Sequence, residues 1–127
     1  MAKLTLKLLE QTFVIHRLPA SSKVPLSVFD APLYFIAKTH NELSIVLPDN
    51  VEIDSQEKEI DWRAFEVLGP LDFSLTGILA NIASVLANEE ISIFAISTFD
   101  TDYILVKSPK LNAAITALTS NQYCVIH

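Results

Sequence analysis

Three histidines, one cysteine and two closely spaced aspartates are the side chains whose types suit proton transfer, nucleophilic attack or metal binding. His16, His40 and His127 fall on a β-rich run, a loop tip and the chain end, and nothing in their spacing sets up a Ser-His-Asp or Cys-His arrangement. Cys124, between Tyr123 and Val125, reads as a small core residue rather than a nucleophile. Asp100 and Asp102 flank Thr101 in a stretch that reads as a turn, where aspartate is favoured by its bonds to nearby backbone. With no His or Cys close in sequence, two carboxylates are too few for a metal site. The only glycines, Gly69 and Gly77, are too few for a phosphate-cradling loop. The expectation is a protein with no catalytic residues, no metal and no cofactor.

Bulk properties narrow the classes further. A formal charge of −6 without a basic cluster argues against nucleic acid as a partner. Half of the residues are hydrophobic, which disfavours disorder. No apolar stretch approaches the ~20 residues needed to cross a bilayer. Lys3 and Lys7 are followed by Glu10 and Gln11 rather than by an apolar leader core, so no signal peptide is expected. One cysteine excludes an internal disulfide and suits a cytoplasmic location. A chain of 127 residues suits one compact unit or two very small ones.

The elements that would position these residues are clearest in the second half. Residues 62–68 alternate and carry Trp62, Phe65 and Val67, a strand pattern ended by the turn signal Gly69-Pro70. Residues 76–90 read as a helix, with Ile78, Leu79, Ile82, Ala83, Val85 and Leu86 on one stripe and Ser74 or Thr76 as its cap. Residues 91–99 and 103–107 read as a hairpin closed by Asp100-Thr101-Asp102. Ser108-Pro109 opens a second helix with Leu111, Ala114, Ile115 and Leu118 inward, and residues 123–126 form a last strand. The order over residues 61–127 is βαββαβ, the ferredoxin-like α+β arrangement with both helices on one face of an antiparallel sheet. Residues 93–96 and 104–106 are apolar on both faces, so the first half of the chain, a second copy, or both must cover the other face.

Residues 1–60 read as a smaller β-rich half. Residues 4–8 alternate, 13–15 are β-rich, 19–23 are a loop, 28–31 a short helical turn, and 33–37 and 43–47 a hairpin. Residues 49–61 read as an acidic surface linker, with Glu52, Asp54, Glu57, Glu59 and Asp61 solvated. Trp62 reads as core or interface packing.

The segments GPLDFSLTGI (residues 69–78) and FAISTFDTDYILV (residues 94–106) resemble a bacterial family of two ACT-like units in about 130 residues, related to the cytosolic arginine sensors of animal cells. Leu8-Leu9, residues 13–19 and residues 42–46 extend the resemblance to the first half. It implies an ACT fold in residues 61–127 packed with a degenerate ACT-like half in residues 1–60. It also implies amino-acid binding between ACT units of a homodimer, as a regulatory sensor. Matched by motif, the helix-start contacts would be Thr76, Gly77 and Ile78, and the hairpin contacts Thr98, Phe99 and Asp102. The arginine sensors carry an acidic residue just before the Ser-Gly or Thr-Gly pair; Leu75 stands there, which argues against arginine.

The chemistry of those positions suits a zwitterion. A helix start offers unpaired N–H groups and partial positive charge to a carboxylate. Gly77 lets a ligand approach the backbone, Asp102 can pair an ammonium group, and Phe99 supplies an apolar wall. The competing reading is an interaction module of the same fold, its pocket filled by Leu75 and Phe99, acting through another protein.

Overall fold

A computed structural model describes residues 4–68 and 76–127. The turn signal Gly69-Pro70, together with Asp72, Ser74 and Leu75, lies outside the described residues. The chain divides into two compact units, one of Met1–Glu10 with Arg63–His127 and one of Gln11–Trp62. Two strands, β1 (Thr5–Leu18) and β4 (Glu57–Val67), supply residues to each.

The first unit holds the ends Thr5–Glu10 of β1 and Arg63–Val67 of β4, then α1 (Ile78–Asn88), β5 (Phe94–Ser97), β6 (Asp102–Lys107), α2 (Leu111–Ser120) and β7 (Cys124–Ile126). From β4 onward this is the expected βαββαβ order. Its strands run β7-β1-β4-β6-β5. β1 is thus interposed between β7 and β4, and β7 pairs with it in parallel, Thr5 opposite Cys124 and Lys7 opposite Ile126. The strand is invisible to a reading of residues 61–127 alone, because it comes from the far end of the sequence.

Alternation on these strands sends one set of side chains toward both helices. Leu6 and Leu8 of β1, Phe65 and Val67 of β4, and Ile104 and Val106 of β6 share one buried cluster with Ile82, Val85 and Leu86 of α1 and Ala114, Ala117 and Leu118 of α2. The helical stripes are as the sequence spacing dictates, with Ile78, Leu79, Leu111 and Ile115 packed at the cluster's margin. The sheet's opposite face is also apolar: Leu105 is buried and sits opposite half-buried Phe94, and half-buried Ile96 sits opposite Tyr103.

The second unit holds residues 11–18 of β1, a 3-10 turn (Leu26–Asp30), β2 (Phe35–Lys38), β3 (Leu43–Pro48) and residues 57–62 of β4. Its strand order, β2-β3-β1-β4, is the order a βαββαβ unit has. The first helix has shrunk to the 3-10 turn, which buries Val28, and the second is replaced by residues 49–56. β1 pairs antiparallel with β3, Val14 opposite Leu47 and Leu18 opposite Leu43. Leu18, Val28, Ala31, Leu43, Ile45 and Leu47 form a small core, with Val51 and Ile53 packed on it.

Three sequence expectations need correction. Residues 57–61 are strand, not linker, since β4 begins at Glu57 and becomes buried only from Trp62. The charged start of a strand with solvent on its side chains has the same composition as a loop. Cys124 is exposed rather than core, because β7 pairs by one edge with β1 and turns this side chain outward. Residues 91–93 precede β5 rather than belonging to it.

Candidate functional site

The hairpin joining β5 and β6 is shaped by two threonines. The Thr98 N–H and Oγ1 both donate to the Thr101 carbonyl, at 2.8 and 3.0 Å. The Thr101 N–H donates back to Thr98 Oγ1 at 3.2 Å. These bonds close a tight loop and leave Phe99 at its tip, 82% exposed. Ser97 and Asp102 are the last ladder pair, with Asp102 half-buried.

Thr101 is buried, and its Oγ1 donates to the carbonyl of Val67, the last residue of β4. That bond moors the hairpin to the sheet end from which the chain departs toward α1. Sequence reading treated Thr101 as a connector; the Thr98-x-x-Thr101 spacing is the signal of its role. Two residues further on, Tyr103 bonds Glu66 across the strands. Burial first, then the negative charge of Glu66 and Asp100, raises its phenol above the usual value.

At the same sheet end α1 begins, since its chain must return to the far end to start β5. Gly77 is the N-cap residue with φ 76, in the left-handed region that glycine enters without strain. Its carbonyl accepts the first helical bond, from the Asn81 N–H at 2.8 Å. Among the described residues no side chain caps the helix, so the capping expected of Thr76 is not made, while Ser74, the other expected cap, lies outside the described residues; the first turn carries no acidic residue. The opening N–H groups and their partial positive charge are therefore not neutralised by the first turn's own side chains. Thr76 and Gly77 are exposed and Ile78 is half-buried against the core. The six residues singled out in the sequence thus fall into two groups, Thr76–Ile78 at the helix start and Thr98, Phe99 and Asp102 on the hairpin, both at one end of the first unit's sheet.

Of the histidines, His40 and His127 are exposed. His16 is buried on β1, with Nδ1 3.0 Å from Ser55 Oγ. Burial, and secondarily the charge of Lys58, hold its pKa below the ordinary 6.5. The folded state then binds this proton less readily than the unfolded state. The stabilisation from neutral His16 is fully present above about pH 6.5 and is lost as pH falls from there through the lowered folded value. Urea midpoints between pH 7.5 and 5.5, about a unit either side of the free imidazole, should fall more for wild type than for His16→Gln, whose amide does not titrate. Superimposable profiles would refute the assignment.

The first unit has the geometry of a split βαβ module whose α1 N-terminus and hairpin turn share one sheet end. The ACT domain family matches residues 57–120, and the chain belongs to that family. The mouse cytosolic arginine sensor for mTORC1 subunit 1 is 32% identical over 106 residues, covering 82% of this chain and 32% of the relative. The chain therefore spans about a third of the length of the curated relatives it matches. Among solved structures, protein Atu0741 from Agobacterium tumefaciens superposes with a TM-score of 0.90 at 31% identity, covering 99% of this chain and 94% of that one. The regulatory subunit of aspartate kinase from Thermus thermophilus is alike in fold alone, with a TM-score of 0.64 at 13% identity over 93% of this chain and 98% of that one. Among the described residues no helix is long and apolar enough to cross a membrane.

Proposed function

We propose that the chain is an amino-acid-binding regulatory protein, not an enzyme, working in the cytoplasm as a homodimer. The ligand is held between the ACT domains of two copies, taken as residues 61–127, with residues 1–60 as the degenerate ACT-like companion. The observation that carries the reading is the start of α1, without a side-chain cap among the described residues, at the sheet end where the hairpin presents Asp102. The N–H groups at Thr76, Gly77 and Ile78 receive the ligand carboxylate. Asp102 pairs the ammonium group, while Thr98 and Phe99 supply backbone groups and an apolar wall. The kinship with proteins named arginine sensors supports an amino acid as ligand. Leu75, where those sensors carry an acid, favours one other than arginine.

Thermal melting against the twenty amino acids tests this. A ligand at a hundred times its Kd adds about 2.7 kcal/mol to the folded state, a shift of several degrees for a domain of this size. One amino acid, or a small related group, should produce that shift in wild type and not in Asp102→Ala. A flat panel would reject the sensor reading. The exposed Phe99 would then favour the interaction-module reading, in which the hairpin tip docks on another protein.

A further inference from the structure

The second unit contains an open groove of about 690 Å³. It forms where residues 49–56 arch over one face of β1 and the start of β4. The arch is tied at both ends: the Asp49 N–H donates to the Thr12 carbonyl and the Gln56 N–H to the Arg17 carbonyl, each at 2.8 Å. Thr12, Val14 and His16, alternate residues of β1 and so on one face of it, form the floor. The carboxylates of Asp49, Glu52, Asp54 and Asp61 line the groove, against the single ammonium of Lys58.

An acidic rim alone would be a solvated surface. His16 distinguishes this one. It is 3% exposed, its Nδ1 bonds Ser55, and its Nε2 is buried without a hydrogen-bond partner among the described residues. Buried polar atoms are normally paired, so an orphan on the groove face points to a missing ligand atom. In the tautomer whose Nδ1–H donates to Ser55 Oγ, Nε2 presents a lone pair and needs a donor. The surplus of carboxylates says that the donor is cationic. Val14, Val51 and Ile53 add apolar wall between the charged positions. Among the described residues no group of three or more His, Cys, Asp or Glu is placed to hold a metal ion, so the cation must bring N–H donors and length rather than a bare charge.

We infer that this groove binds a small aliphatic polyamine, its ammonium groups on the carboxylates and on His16 Nε2, its methylenes against Val14, Val51 and Ile53. The site is independent of the one proposed in the ACT domain. Calorimetric titration of the full chain with spermidine in about 0.1 M salt, where non-specific attraction is screened, tests it. The expected result is saturable one-to-one binding, weakened about tenfold or more by Asp49→Asn with Asp54→Asn and by His16→Phe, and unchanged by Asp102→Ala. If His16→Phe does not fold, the carboxylate pair decides, because both side chains are exposed. Absent saturation, undiminished binding by the carboxylate variant, equal displacement by Mg²⁺, or free lysine binding as tightly as spermidine would each overturn the proposal.

Discussion

Phe65→Ala lowers the free energy of unfolding by about 3–5 kcal/mol, the cost of removing a buried aromatic side chain and leaving its cavity. Phe65 has no solvent exposure and lies mid-sheet on β4. Its cluster draws on β1 through Leu6 and Leu8, on β6 through Ile104 and Val106, and on the helices through Ile82, Leu86 and Leu118. Collapse into the vacated space would require strands and helices to move together, so little of the cavity closes. A small domain has only about 5–15 kcal/mol in total, so the variant sits near the edge of folding. Urea denaturation checks this: the midpoint falls while the slope holds. A loss under about 1 kcal/mol would mean that the cluster is not the core it is taken to be.

Thr101→Val costs about 1–3 kcal/mol for a different reason. The side chain keeps its shape and the burial of its methyl group, but loses the Oγ1 donor to the Val67 carbonyl. That acceptor is left in a buried place without the hydroxyl, and the hairpin loses its mooring to β4. Thr101→Ser retains the hydroxyl and should recover most of the loss, apart from the methyl group. The same pair of variants tests the proposed ligand site. If the hairpin supplies contacts, the amino-acid-induced rise in melting temperature shrinks in Thr101→Val and returns in Thr101→Ser. Equal melting of the two variants would place the stabilisation in packing instead of in the hydrogen bond.

The βαββαβ order was legible because each element there carries a strong local pattern. The α1 stripe through Ile82, Val85 and Leu86 and the Ser108-Pro109 helix signal both stand in the structure, although Ser108–Lys110 form a 3-10 turn before α2. Ferredoxin-like strand order in the second unit was not legible, because its helices are reduced to Leu26–Asp30 and an extended segment with no helical period. The length of β1 was hidden for another reason. Glu10 and Gln11 interrupt the alternation with exposed polar side chains, so one strand of 14 residues read as two fragments. For the candidate site, the resemblance carried by residues 69–78 and 94–106 pointed to the helix start and the hairpin. What fixes the hairpin, the Thr101 bond to a carbonyl 34 residues earlier, is a long-range contact that no local pattern announces.

The interposed strand β1 bears on how such chains can be inherited. A recombination event that cut near residue 60 and passed on only the following segment would deliver β4 and β7 without the strand that lies between them. It would also open the core where Leu6 and Leu8 had been. Exposed strand edges of that kind invite aggregation, so the severed product would be selected against. Gene fusion therefore favours moving the two halves as a single cassette, with joins placed outside residues 5–126.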